Sequence, residues 1–163
     1  MFRIGLGVDS HRFEETPSGK KLVLGGIVFP NEVGFVSHSD GDVVLHALFN
    51  ALSSAIGEKS IGEFFPDTHG ENMGKNSRDF IEFILPKIAE KNFQIENVVV
   101  SLECKKPKIS PHSEQMKQVI SKLLGISIEQ IAVHATTGEG LTSFGKGEGV
   151  YGQVIVLLVE KKS

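Results

Sequence analysis

The sequence predicts an α/β fold, a layered α+β sandwich with a mixed β-sheet, helices packed on one face and the other face turned to a partner subunit. Three observations carry this. Strand-like and helix-like runs alternate along the whole chain. The run Val154–Val159 is apolar without alternation, the pattern of a strand covered on both faces. The chain has 163 residues, too few to cover both faces of every strand by itself. One domain over residues 1–163 fits that length, and a core of this size buries roughly 70% of the unfolded surface.

The elements follow in order. Phe2–Val8 alternates and opens the chain as a strand. Leu22–Leu24 and Ile27–Phe29 flank Gly25-Gly26, a hairpin signal. From Asp42, the residues Val43, Val44, Ala47, Leu48, Ala51, Leu52 and Ala55 fall on one helical face. Ser39, Asp40 or Asp42 can cap that helix and Gly57 ends it. A second helix runs from about Ser77 to Lys91, with Phe80, Ile81, Ile84 and Ile88 inward and a kink or break expected at Pro86. Phe93–Cys104 is a strand around Val98-Val99-Val100. Ser110-Pro111 then opens a helix to Leu124, stopped by Gly125. Ile131–Thr137 and Val150–Val159 are the last strands.

Composition excludes several classes of function. Lys and Arg number 17 against 20 Asp and Glu, a net charge of −3, without the basic excess of a general nucleic-acid binder. A lone cysteine, Cys104, excludes a disulfide framework and a multi-cysteine zinc module, and reads as a small buried hydrophobe. No apolar run approaches the roughly 20 residues of a membrane span, and the N-terminus has neither an h-region nor an Arg/Ser-rich transit segment. No P-loop, H-E-x-x-H or G-x-S-x-G motif occurs. The alternating glycines Gly145 to Gly149 precede a strand, the wrong context for a dinucleotide fingerprint.

Candidate chemistry lies in four places. Asp9 and His11, two apart on a strand, point to one side and offer half of a zinc site. Taken alone, the pair reads first as an exposed strand end. His46 sits one turn beyond Asp42, off the core stripe; beside Asp9 and His11 it would complete a two-His, one-carboxylate set with a coordination position left for substrate. His38, Ser39 and the free N–H groups of the helix start form an anion site. Thr136-Thr137-Gly138-Glu139-Gly140 can cradle phosphates while Glu139 holds a cation, with a plain polar turn an equal reading. Lys105-Lys106-Pro107-Lys108 is a solvated basic turn unless it borders an anion pocket. Phe64-Phe65-Pro66-Asp67-Thr68 reads as packing, His112 and His134 as structural, and His69 as a loop residue.

Taken together, Asp9-Ser10-His11, His38-Ser39-Asp40-Gly41-Asp42 with His46, Ile61-Gly62, Phe65-Pro66-Asp67-Thr68, Pro107-Lys108 with Pro111-His112, and Ala135-Thr136-Thr137 resemble the 2-C-methyl-D-erythritol 2,4-cyclodiphosphate synthase family of the non-mevalonate isoprenoid pathway. The resemblance spans almost the whole chain. It implies a metal-assisted cyclisation: the 2-phosphate of 4-diphosphocytidyl-2-C-methyl-D-erythritol 2-phosphate attacks the β-phosphorus and CMP leaves. It implies that Asp9, His11 and His46 bind zinc and that Glu139 holds a second divalent ion, Mg2+ or Mn2+. His38 and Thr137 match transition-state stabilisers. Ser10, Ser39, Ser60, Ile61 and Gly62, with Phe65, Pro66, Asp67, Thr68 and His69, match the substrate pocket. Cys104, Lys105, Lys106, Pro107, Lys108, Ile109 and Ser110 match the cytidine stretch, given by a neighbouring subunit of a homotrimer. Thr136, Gly138, Ser143 and Lys146 complete the substrate-binding set, and a central cavity near Lys146 can take an isoprenoid diphosphate.

The implied setting is the bacterial cytoplasm, or a plastid-type organelle after processing. Three positions depart from the family pattern: Ser60 and His69 each stand where Asp is common, and Lys146 where Arg is common. Lys lacks the planar fork of Arg. Two rival readings keep the same residues, another zinc-dependent phosphotransfer or hydrolytic enzyme and a silent trimer that senses an isoprenoid diphosphate. Intact Asp9, His11, His46 and Glu139 favour catalysis over the second.

Overall fold

The computed structural model describes residues 1–66 and 74–161. β1 (Phe2–Arg12) leads to a hairpin of β2 (Lys21–Leu24) and β3 (Ile27–Val33), then to α1 (Val43–Ala55), the single turn α2 (Ile61–Phe64) and α3 (Ser77–Glu90). β4 (Phe93–Glu103), α4 (Ser113–Leu124), β5 (Ile131–Thr136), the short α5 (Ser143–Lys146) and β6 (Gly149–Glu160) follow. Among the described residues, one sheet has the order β1-β6-β4-β5, antiparallel throughout except for the parallel pair β4 and β5. The crossover between that pair carries α4. The mixed sheet expected from sequence is therefore present.

Side-chain alternation decides which face is covered. Val98, Val100 and Leu102 of β4 and Val154, Val156 and Leu158 of β6 are buried beneath the helices. On the other face Phe2, Ile4, Leu6, Val8 and Ile155 keep 44–74% of their surface exposed. The sequence predicts both faces of Val154–Val159 covered; within one chain only one face is. The other face is open in the single chain.

α1 lies directly on β1, and the residue sizes dictate this. Gly5 and Gly7 face the helix, and a Cβ on them would stand 1.9 Å from the Ala51 carbonyl oxygen and 2.0 Å from that of Ala47. Ala47, Ala51 and Ala55, four residues apart, form the matching stripe. Asp42 caps α1 and ties its start to the hairpin. Its Oδ1 accepts from Val44 N (3.0 Å), Leu45 N (3.0 Å) and Gly25 N (2.8 Å), while Oδ2 accepts from Gly26 N (2.6 Å). Gly25 and Gly26 have φ of 59° and 75°, as a two-residue hairpin turn between antiparallel strands requires.

Several boundaries differ from the sequence reading. β1 runs four residues past Val8, because pairing with β6 continues to Arg12 opposite Gly149. α3 continues through Pro86 to Glu90 without a break. The helix expected from Ser110 begins as a 3₁₀ turn, Ser110–His112, before α4. His46 is buried rather than off the core stripe. α1 is held between β1, β6 and α3, so nearly all of its circumference is interior.

Candidate metal centre and active site

Alternation along β1 continues past the two glycines. Gly5, Gly7, Asp9 and His11 share the face turned to α1, so the close strand–helix approach carries Asp9 and His11 up to the first turn of that helix. There His46 meets them. Asp9 Oδ2 lies 3.1 Å from His46 Nδ1 and 3.2 Å from His11 Nε2, and the two ring nitrogens are 3.4 Å apart. A tetrahedral ion bonded at about 2.0–2.1 Å needs donor atoms about 3.3–3.4 Å apart. Two imidazole nitrogens and one carboxylate oxygen on such a triangle fit zinc in both chemistry and spacing.

The electrostatics bind the three groups together. Burial pushes the Asp9 carboxyl up, but hydrogen bonds and charge from His11 and His46 outweigh it and hold the group at about 2. Burial pushes the His46 imidazole down, and the Asp9 hydrogen bond, with the charges of Asp9, Asp42 and Asp40, overrides it, so its pKa is raised. Asp42 is raised, burial outweighing its backbone donors. On the far side of the ring, His46 Nε2 lies 2.9 Å from Ser77 Oγ and 3.2 Å from Ser39 Oγ. Phe80 and His11 pack edge-on against the same ring, at centroid distances of 5.7 and 5.4 Å.

A cleft of about 320 Å³ opens over this triangle, lined by Asp9, His11, Val36, Ser37, His38, Ser39, His46, Ile61, Gly62, Phe65 and Phe80. It brings together eight sequence-predicted site residues from β1, the loop before α1, α1 itself and α2. The loop is held in place. Lys20 Nζ donates to Ser37 O (2.8 Å) and Ser37 Oγ (2.6 Å), and Gly74 N donates to His38 O (2.8 Å). α2 is anchored by Asn50, whose Oδ1 accepts from Ile61 N (2.9 Å) and whose Nδ2 donates to Val8 O (3.3 Å). The Ser60 hydroxyl donates to Glu63 (2.9 Å), an intrahelical partner in place of a free pocket group. Phe65 both packs, against Phe49, Phe80 and Phe83, and lines the cleft. Pro66 closes the described segment; Asp67, Thr68 and His69 lie outside the described residues.

The remaining candidates gather in a second cluster, and none of them lines the metal cleft. Cys104 N donates to Thr136 O (3.0 Å) and Lys105 N to Phe144 O (3.2 Å), which joins the Cys104–Ser110 stretch to the Thr136–Lys146 stretch. The Lys106–Pro107 peptide is cis, and Pro107 and Ile109 are buried while Lys105, Lys106, Lys108 and Ser110 are exposed. Gly138, Glu139 and Gly140 turn through φ of 64°, 52° and 72°, leaving the Glu139 carboxylate in solvent beside Thr137. The Thr142 hydroxyl hydrogen-bonds Glu103 beneath that turn. Cys104 is buried and its thiol is pushed up to about 11, chiefly by burial, as an inert packing residue should be. Ser10 alternates to the face of β1 opposite His11, and with His11, Ser143, Phe144 and Glu148 it borders a second, smaller cleft. Sequence reasoning did not identify Asp40, Asn50, Ser77 or Phe80 as site residues. Each acts through contacts between elements distant in sequence, and Ser77 reads locally as an ordinary helix start.

A model of the YgbB family matches residues 2–159. A 2-C-methyl-D-erythritol 2,4-cyclodiphosphate synthase of Aquifex aeolicus is 43% identical over 158 residues, covering 97% of this chain and 97% of its own. The enzyme of the same name from Rhodopirellula baltica is 41% identical over 157 residues, 96% of this chain and 93% of its own. Among solved structures, a CDP-bound 2C-methyl-D-erythritol-2,4-cyclodiphosphate synthase superposes with a TM-score of 0.86 at 35% identity, over 96% of this chain and 100% of that one. A Plasmodium falciparum IspF in complex with CDP gives 0.87 at 33%, over 99% and 97%. The match runs from the first strand to the last and takes in both clusters: the chain belongs to the YgbB family.

Proposed function

We propose that this chain is a cyclodiphosphate synthase, converting 4-diphosphocytidyl-2-C-methyl-D-erythritol 2-phosphate into 2-C-methyl-D-erythritol 2,4-cyclodiphosphate and CMP. The observation that carries the reading is the Asp9–His11–His46 triangle at the floor of a cleft that also exposes His38 and Ser39. These three donors would hold zinc, which when bound would supply Lewis-acid stabilisation of charge on the β-phosphate. Glu139 offers one solvent-facing carboxylate, the minimal protein share for Mg2+ or Mn2+ when substrate phosphates provide the other oxygens.

The chain's own residues do the positioning. A phosphate dianion approaching a diphosphate meets like-charge repulsion of several kcal/mol at low effective dielectric. His38 and Ser39 lie where hydrogen bonds reach phosphoryl oxygens in the cleft, and Thr137 is assigned the same task from the second cluster. An oxygen of the 2-phosphate forms the new bond to the β-phosphorus as the bond from that phosphorus to the oxygen shared with the α-phosphate breaks. CMP leaves with that electron pair. No water is consumed, so catalysis rests on alignment and charge rather than on a general base.

Substrate must also be gripped at its nucleotide. Lys108 and the buried Pro107 and Ile109 give a stiff edge for cytosine, with Cys104 to Ser110 as the whole stretch. In this reading the metal cleft of one chain faces the second cluster of its neighbour in a homotrimer, joined through the open apolar face of the sheet. The axis of that trimer, near Lys146, is the place for an isoprenoid diphosphate. Among the described residues no helix is long and apolar enough to cross a membrane. The test is turnover of the candidate substrate followed by chromatography: CMP should appear in equal amount with a cyclic product and cease with chelator. CMP released together with an open-chain bisphosphate would mean hydrolysis and would refute the synthase reading.

A further inference from the structure

We infer that Ser77, held by Asp40, is a positioning residue for the metal centre: it fixes the proton of His46 on Nε2 and so aims the Nδ1 lone pair at the metal position. The inference rests on Asp9, His11 and His46 being the metal ligands, and it concerns a residue two elements away from them.

Ser77 is fully buried in the first turn of α3. Its backbone N–H donates to Asp40 Oδ2 (3.0 Å) and its hydroxyl donates to Asp40 Oδ1. Asp40 Oδ1 also accepts from Asp42 N (3.1 Å), so the donors around this carboxylate are protein N–H and O–H groups. An ionised carboxylate accepts only, and a serine has a single proton to give. With that proton spent on Asp40, Ser77 Oγ presents lone pairs to His46 Nε2 at 2.9 Å. Ser39 Oγ, which already accepts from Gly41 N (3.1 Å), stands 3.2 Å from the same nitrogen. Nε2 therefore carries a hydrogen; Nδ1, facing Asp9 and His11, gives its own proton to the Asp9 carboxylate in the metal-free site, and that is the proton a metal ion would displace to be coordinated there. The opposite tautomer would set buried acceptors against each other on one side and a proton in the metal position on the other, a costly pairing.

Ser77 is not spent on capping its helix. Asn76 is the N-cap, with Oδ1 accepting from Arg78 N at 3.0 Å. Nor is the arrangement chemically odd: metal-bound histidines commonly hand their second N–H to a carboxylate or carbonyl that sets the ring's tautomer. Here a serine relays that role from Asp40.

The experiment uses zinc-loaded, ¹⁵N-histidine-labelled protein. Wild type should show the His46 ring proton on Nε2, slow to exchange with water, with zinc on Nδ1. Ser77→Ala should speed that exchange and weaken zinc about 10- to 100-fold in chelator competition. A His46 proton found on Nδ1 in wild type would overturn the inference without any variant. Unchanged affinity and unchanged exchange in Ser77→Ala would do the same. His46→Ala separates the two levels: if it keeps full zinc, the ligand assignment itself fails, whereas if it loses zinc while Ser77→Ala behaves as wild type, only the role of Ser77 fails.

Discussion

At the scale of the residue, the site depends on a carboxylate kept ionised between two imidazoles. Asp9 is held at about 2 against an ordinary value of 3.8, despite its burial, by His11 and His46. A carboxyl with a lowered folded-state pKa adds stability above its unfolded value, and that stability is lost as pH falls through the folded value. In the metal-free protein, wild type should exceed Asp9→Asn by about 2 kcal/mol at pH 5, by roughly half that at pH 3, and by a few tenths near pH 2. Urea unfolding across that window measures the gap, and a gap constant with pH would mean the imidazoles do not hold the carboxylate. These three candidate ligands were legible in sequence through the family resemblance, carried by two short patterns, D-x-H on a strand and a histidine one turn into a capped helix; taken alone, Asp9 and His11 read first as an exposed strand end. Ser77 and Asp40 were not, since their meaning arises only when α3 docks beside the loop before α1.

At the scale of the element, strand and helix are fitted together by what their side chains lack. Gly7 leaves no room for a methyl group, which would stand 2.0 Å from the Ala47 carbonyl and 2.3 Å from Ala51 N. Gly7→Ala must push β1 off α1, at a cost of about 1–3 kcal/mol for overpacking. The displacement carries Asp9 and His11 with it, so zinc affinity should fall along with stability. Paired urea melts and zinc titrations check this; a stable Gly7→Ala with wild-type zinc affinity would detach the strand–helix contact from the site. Element type was readable wherever periodicity ran long enough, as in α1, α3, β4 and β6. The four-residue α2 and α5 and the 3₁₀ turns were not foreseen, because a single turn has no period to detect. A kink or break is expected at Pro86, yet α3 runs unbroken through it, with Phe80, Ile81, Ile84 and Ile88 packed on both sides.

At the scale of the whole molecule, two observations belong together: an apolar sheet face left open and a set of site residues split into two clusters. A monomer rarely leaves such a contiguous apolar face in water. Ile155 lies on that face, opposite Leu6 on one side and Val99 on the other. In the isolated chain an aspartate there would remain wet, so Ile155→Asp should fold; in an assembly it would be a buried unpaired charge, costing at least several kcal/mol. The expected result is a folded monomer in light scattering that has lost turnover, and a monomer with wild-type turnover would refute a site shared between chains. Nucleotide selection belongs to the same scale, since the proposed trimer draws on the neighbour's Cys104–Ser110 stretch for it. CDP should bind more tightly than UDP or ADP, with Lys108→Ala weakening CDP, and equal affinities in calorimetry would contradict the assignment. The sequence reading expects this face to meet a partner; within the chain it is open. The separation of the two clusters was legible only through the family resemblance, because nothing in local spacing tells how far apart two loops will sit.

Phosphorus NMR of the candidate substrate with wild-type protein, zinc and magnesium tests the central claim most directly, because it reads which bond forms. The expected spectrum loses the substrate's three phosphorus signals and gains two coupled signals of a cyclic diphosphate plus that of CMP. Removal of metal by chelator should stop the change, and restoring zinc and magnesium should restart it. Conversion to open-chain phosphates, or cyclisation at the same rate in His46→Ala, would contradict the account.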